Sequence, residues 1–87
     1  MRYYFDIHDG RHFMRDADGT ELSSIEDAKK EARATLPEIA RASIPTGDDH
    51  QAFTVLVRDG SGDVVYTATL TFAGLSMNVA TGSLPDS

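Results

Sequence analysis

Histidine and carboxylate side chains are the residues of this sequence that could carry out chemistry. His8 and His12 flank Asp9 at the first Asp-Gly turn, and two imidazoles with a carboxylate can bind a divalent metal ion. Whether the histidines meet depends on the hairpin register. A two-residue turn pairs His8 with Arg11, whereas a three-residue loop pairs His8 with His12. No third strong ligand is adjacent in the sequence, so we interpret both as exposed hairpin histidines and predict no metal site.

A second candidate is the acidic loop that ends in His50, where Asp48 and Asp49 precede the imidazole. An Asp–His pair can act as a general base. The chain has no cysteine, and no serine occupies the Gly-x-Ser-x-Gly turn of a hydrolase nucleophile. The missing cysteines also exclude disulfides, thiolate zinc sites and thiol chemistry. We therefore expect a surface loop here and a protein that is not an enzyme.

Two glycine-containing segments resemble ligand loops only superficially. Aligning Gly19 with the glycine of a calcium loop places Met14 and Ile25 where oxygen ligands are needed. Residues 60–62 (GSG) lie between two predicted strands, whereas a phosphate loop opens a helix. Both segments are interpreted as turns, and no cofactor is predicted.

The charge balance argues against nucleic acid as a partner. Fourteen acidic residues against eight basic residues give a net charge of −6, which disfavours contact with phosphate backbones. The basic residues Lys29, Lys30 and Arg33 are interleaved with acidic residues and form no basic patch. No apolar run approaches the roughly 18–20 residues of a membrane span, and no apolar signal core follows the N-terminus. We therefore expect a cytoplasmic protein with neither a membrane nor a nucleic-acid partner.

Hydrophobic spacing predicts the first half of the fold. Residues 2–7 alternate between apolar and polar side chains, as in a strand with one buried face, and a returning strand is predicted at 11–15. Ser23 followed by Glu26 predicts a capping box at the start of a helix over roughly 24–43. Apolar residues recur along that helix every three or four positions. Pro37 interrupts the pattern and is expected to kink the helix without ending it.

The second half of the chain predicts two further strands, at 53–58 and 64–72, joined by a turn. The predicted fold class is therefore α+β. The order is β-β-α-β-β, and a four-stranded, mostly antiparallel sheet carries the helix on one face. We expect one domain over 1–72 and a tail over 73–87, either irregular or docked against a partner.

One helix can cover only one face of the sheet, and the other face is the predicted interaction surface. It carries Tyr4, Leu56 and Val65 among polar residues. Such a mixed surface is also typical of a solvated sheet face with scattered apolar side chains. The competing location for a contact is an exposed strand edge.

Several of these segments together resemble known families. YYFDIHDG at 3–10, DADGTEL at 16–22 and a helix with EDA at 26–28 and EA at 31–32 resemble an uncharacterised family of short proteins from alphaproteobacteria, rhizobia-like bacteria in particular, labelled as a domain of unknown function. The resemblance covers about 2–72 and implies no activity, cofactor or site residue. A looser resemblance runs to HicB-type antitoxins, through SIEDA at 24–28 after a tyrosine-rich hairpin. The extra strand and the proline-rich segment that this resemblance implies between hairpin and helix are missing, and no DNA-binding C-terminal domain is recognisable in the sequence.

The sequence favours a small, non-enzymatic protein-interaction module whose partner is a second copy of itself. Two alternatives stay open. One is an antitoxin-type binder of another protein. The other is a small metal- or ligand-binding domain that uses His8 and His12.

Overall fold

The computed structural model describes residues 1–78 of the chain and has the predicted α+β architecture. Its elements, in order, are β1 (Arg2–His8), β2 (Phe13–Met14), β3 (Thr20–Glu21), α1 (Ile25–Ser43), a short 3-10 turn (Ile44–Thr46), β4 (His50–Arg58) and β5 (Val64–Ala73). The strands form an antiparallel sheet in the order β2-β1-β4-β5, and β3 also pairs with β1. The predicted β-β-α-β-β arrangement is thus confirmed, but the sheet has five strands and not the predicted four, because the second strand is divided into β2 and β3.

The returning strand of the first hairpin is split into β2 and β3. Ile7 pairs with Met14, and Tyr3 pairs with Thr20. Between these pairs the return has five residues, 15–19, against three residues of β1. Five residues cannot pair one by one with three, so this segment leaves the ladder of backbone hydrogen bonds. We call residues 15–19 the excursion of the first hairpin. The single returning strand predicted at 11–15 was therefore wrong in its bounds.

Helix α1 begins one residue later than the predicted capping box implies. Ser24 is the N-cap, with extended backbone (φ −158°), and its hydroxyl accepts the Asp27 N–H at 3.2 Å. Ser23 donates its hydroxyl to the Asp27 carboxylate instead. The helix continues through Pro37 and ends at Ser43, as predicted. No helix within residues 1–78 is long and apolar enough to cross a membrane.

The core lies between α1 and the centre of the sheet. The helix buries apolar residues at four-residue spacing, and β4 buries Phe53, Val55 and Val57 against them. The helical members are Ala28, Ala32, Leu36 and Ala40, and Tyr3 of β1 completes the cluster. Three alanines in this stripe let the helix lie close to β4 and β5, the strands it packs on.

The chain leaves the sheet at Gly74. The Gly74 N–H donates to the carbonyl of Asp49 at 2.6 Å, which ties the end of β5 to the start of β4. Residues 74–78 form no helix or strand. Of the predicted tail over 73–87, Ala73 closes β5 and residues 79–87 lie outside the described part of the chain.

Candidate interaction surface

The sheet face opposite α1 carries two of the predicted interaction residues in neighbouring rows. Directly opposite residues of antiparallel strands share a face. Tyr4 lies opposite Arg58, Asp6 lies opposite Leu56, and Leu56 also lies opposite Thr67 of β5. Tyr4 and Leu56 are thus diagonal neighbours on this helix-free face, as the alternation predicted.

Val65, the third predicted residue, lies at an irregularity in the sheet. Val57 pairs with Tyr66, while the next residue, Arg58, pairs with Val64. Val65 is the extra residue of this β-bulge. It is 40% exposed, whereas Tyr4 and Leu56 are half-buried.

A buried ion pair occupies the same face. The Arg58 guanidinium donates two hydrogen bonds to the Asp6 carboxylate, Nε to Oδ2 at 2.6 Å and Nη2 to Oδ1 at 3.1 Å. The two side chains are only 11% and 4% exposed. The hydrogen bond to Arg58 holds the pKa of Asp6 below its usual value, and it raises the pKa of Arg58. This bidentate geometry makes the pair a fixed structural element of the helix-free face.

The ion pair also anchors the five-residue excursion of the first hairpin. Asp16 donates its backbone N–H to Asp6 and accepts a hydrogen bond from Arg58 on its carbonyl. Its carboxylate accepts the N–H of Phe5 at 3.1 Å and that of Gly19 at 3.0 Å. These hydrogen bonds hold the pKa of Asp16 below its usual value. The Asp16 side chain thus takes the place of a missing ladder carbonyl along β1.

Tyr4 is held between this excursion and Arg58. The guanidinium carbon of Arg58 lies 4.9 Å from the centre of the Tyr4 ring, a cation–π distance. Gly19 has φ +71°, and a Cβ there would come within 2.8 Å of the Tyr4 ring. Tyr4 is therefore packed within its own chain. Of the three predicted interaction residues, Val65 is the most exposed to solvent.

Two of the three histidines line a cleft at the end of the sheet opposite Tyr4 and Arg58. Hairpin residues 9–12, the connection after α1 and the nearby ends of β4 and β5 enclose about 640 Å³. His12 and His50 both line this cleft. Arg11 reaches across to Asp48, Nη2 to Oδ2 at 3.2 Å. The cleft therefore contains charges of both signs, and Arg11 and Asp48 form an ion pair across it.

The hairpin register differs from both predicted alternatives. His8 pairs with Phe13, so the connection is a four-residue loop and His12 lies within it. The Asp9 carboxylate organises this loop. It accepts the N–H of His12 at 2.7 Å and that of Arg11 at 3.0 Å, and these hydrogen bonds lower the pKa of Asp9 to about 2.

The two candidate metal ligands do not lie opposite each other in this register. The His8 ring packs against Phe13 with a centroid distance of 6.2 Å, and its Nδ1 accepts the Gly10 N–H at 3.1 Å. Among residues 1–78 no group of three histidine or carboxylate side chains is placed to hold a metal ion. His8 thus has a local structural role at the end of β1.

The two edges of the sheet differ in length and charge. Beyond β1 lie two strands of two residues each and the excursion between them, where Arg15, Asp16 and Asp18 are found. The other edge is β5, ten residues long. No charged residue occurs between Asp63 and Asp86. Most of the exposed large hydrophobic residues lie on β5 or just after it, namely Val64, Val65, Leu70, Leu75 and Met77.

Within residues 1–78 these features define a small α+β domain whose sheet ends in two short strands beside β1 and in the ten-residue β5 on the other side. Residues 2–71 match the family described as Domain of unknown function (DUF6894), and the chain belongs to that family. No curated protein and no solved structure matches the chain. Membership of a family of unknown function, predicted over about 2–72, is confirmed.

Proposed function

We propose that this protein is a non-enzymatic interaction module that acts as a homodimer. The observation that carries the proposal is the separation of charge from exposed apolar surface. Every charged residue except Asp86 precedes Val64. From Val64 to Met77, by contrast, large apolar side chains face solvent on an uncharged strand and its extension. Interface cores are depleted of charge in this way.

A second copy of the chain fits this surface better than it fits any other part of the molecule. Two copies with a net charge of −6 each repel one another through their acidic turns. At β5 they can approach without placing like charges in contact. Neighbouring threonines of the helix-free face supply neutral hydrogen-bonding groups, as in the Thr54–Thr69 pair at 2.9 Å. We therefore place the contact at β5, with Val65, Leu56 and Tyr4 at its border on the helix-free face.

The ionisable groups support a structural rather than a catalytic role. Asp6, Asp9, Asp16 and Asp59 each have a lowered pKa, because each accepts hydrogen bonds that shape a turn or an ion pair. A general base works best with a pKa near the working pH. The lowered pKa values of these carboxyl groups lie further from neutral pH than the usual values, so they do not suit a general base.

Light scattering on a size-exclusion column tests the proposal. Over a concentration series up to several hundred micromolar, we expect the mass to approach twice the chain mass of 9.5 kDa. Raising the salt concentration should strengthen the association, because salt screens repulsion between two acidic chains. A mass of one chain at every concentration and salt level would overturn the proposal.

The two alternatives make different predictions. An antitoxin-type binder would use the acidic surface to bind a basic partner, and salt would weaken that complex. A metal-binding domain would melt at a higher temperature with zinc, and His8→Ala or His12→Ala would remove the shift.

A further inference from the structure

β5 has a free edge among the described residues. It pairs with β4 along almost its whole length, from Val64 to Ala73, and no strand of residues 1–78 pairs on its other side. In an antiparallel strand, alternate residues direct both the N–H and the C=O to the same neighbour. About half of the backbone groups of β5 therefore point outward and can pair with another strand.

Most of the usual devices that prevent strand pairing are absent from this edge. Natural edge strands are kept short or carry charges, prolines or bulges. The β1 side of the sheet follows this rule, with two-residue strands and a charged excursion. β5 has ten residues, no charge, no proline and a single irregularity, near Val65 at its start. Only the last eight residues, Tyr66–Ala73, form an uninterrupted ladder, and this part is open.

From these observations we infer that β5 pairs with β5 of a second copy, antiparallel, about a two-fold axis near Thr69. The inference rests on the proposed function and specifies how the homodimer is built. It joins the two sheets into one continuous sheet.

Symmetry restricts this pairing strongly. A two-fold axis perpendicular to the sheet reverses the strand direction and leaves each face where it was. Both helices then lie on the same side of the joined sheet, and one residue must lie opposite its own copy. Thr69 and Leu70 are the two central residues of the regular stretch of β5 that follows the bulge, and we place Thr69 on the axis. It lies opposite Thr54, so its side chain is on the helix-free face.

The cross-strand pairs in this register are complementary. Thr69 faces its own copy, and Thr67 faces Thr71, so the helix-free face carries threonines beside threonines. On the helix side Ala68 faces Leu70, and Tyr66 faces Phe72. Aromatic pairs and pairs of threonines are among the favourable cross-strand combinations. The small side chain of Ala68 also leaves room beside Leu70.

Leu70 supports the same arrangement. It lies opposite the buried Phe53 and so on the helix side of the sheet, yet it is 36% exposed. Helix α1 packs on β4 and β5. In the joined sheet the two helices lie about two strand spacings apart, roughly 10 Å, a distance at which helices pack together. The partner's β5 and helix then cover the exposed side of Leu70.

A charge-swap experiment tests the inference. Thr69→Lys and Thr69→Glu each place two side chains of like charge opposite one another across the axis, with Cβ atoms about 5 Å apart, and we expect each to weaken dimerisation by roughly 10- to 100-fold. A mixture of the two variants places opposite charges there and should restore the dimer. Ala17→Lys is the matched control, because it adds a charge to the excursion beyond β1 and should leave the dimer unchanged.

Cysteine crosslinking tests the register in the same protein, which has no native cysteine. Thr69→Cys should form an intermolecular disulfide rapidly under mild oxidation. Thr67→Cys alone should not, because its two copies are four residues apart along the pair, about 13 Å. A mixture of Thr67→Cys with Thr71→Cys should crosslink. Circular dichroism checks that each variant is folded.

The outcomes separate this inference from the proposed function. A dimer that tolerates Thr69→Lys, or a Thr67→Cys variant that crosslinks as fast as Thr69→Cys, overturns the β5 pairing and leaves the homodimer in place. A wild-type chain that stays monomeric at all concentrations overturns both.

Discussion

Removing the charge of Asp6 is expected to destabilise the domain more than any comparable change on its surface. Asp6→Asn keeps the size of the side chain but leaves the Arg58 guanidinium, only 11% exposed, without its counter-charge. Breaking a buried ion pair from one side costs about 3–5 kcal/mol. Because an asparagine oxygen can still accept one hydrogen bond, we expect a loss of about 3 kcal/mol. A chain of this size has roughly 4–13 kcal/mol of stability, so the loss is a large fraction of the whole.

Urea unfolding followed by circular dichroism measures this loss. Asp18→Asn is the matched control, because it makes the same chemical change in the same excursion at an exposed side chain. The double variant Asp6→Leu with Arg58→Met should be more stable than Asp6→Asn, because it leaves no unpaired charge. If Asp6→Asn and Asp18→Asn unfold at the same urea concentration, the ion pair does not anchor the hairpin and the reasoning is refuted.

The same ion pair predicts how stability depends on pH. The Arg58 hydrogen bond holds the pKa of Asp6 below its unfolded value, so the folded state favours the ionised form. This contribution is fully present above the unfolded pKa of about 4 and is lost as pH falls through the lower folded pKa. The stability difference between wild type and Asp6→Asn should therefore shrink below about pH 4. A difference that stays constant down to pH 2 would contradict the assignment.

Three further predictions concern the turns and the helix start, each measured against a matched variant. Gly19→Ala should cost about 1–2 kcal/mol more than Gly10→Ala in urea unfolding, because both residues have positive φ but only at Gly19 would a Cβ meet other atoms; equal losses would contradict the packing. Ser24→Ala should cost about 1 kcal/mol and Ser23→Ala clearly less, and the reverse order would restore the predicted capping box. In an NMR titration the Asp9 carboxyl should titrate near pH 2, so its contribution to stability is lost between about pH 4 and 2; titration near pH 4 would show that its turn hydrogen bonds do not persist in solution.

Local patterns were sufficient to predict the elements of this fold. Alternation identifies β1, β4 and β5, because each directs one set of alternate side chains towards the hydrophobic core. Spacing of three and four identifies α1, and its apolar stripe continues past Pro37 as the helix does. The helix cap was predicted one residue too early, because two adjacent serines offer the same hydroxyl and only the backbone conformation at Ser24 decides between them.

The register of the first hairpin and the bounds of its returning strand could not be predicted from local patterns. Two carboxylate side chains there accept backbone N–H groups in place of backbone carbonyls. The Asp9 carboxylate accepts two loop N–H groups and makes a four-residue loop stable. The Asp16 carboxylate does the same beside β1. Neither of these side-chain hydrogen bonds leaves a periodic pattern in the sequence.

The Asp6–Arg58 pair joins residues that are far apart in the sequence. The alternation placed both on the helix-free face and predicted polar surface there. Their contact depends on the register of β1 with β4, which no local pattern sets. Opposite charges on one face of two strands were the signal that could have suggested the pair.

Mixing the two Thr69 variants tests the central claim, a homodimer built by pairing of β5 edges, most directly. By light scattering, Thr69→Lys and Thr69→Glu measured separately should each have the mass of one chain, 9.5 kDa, and their equimolar mixture should have twice that mass. A mixture that stays at the mass of one chain, or either variant alone at the mass of two, would contradict it.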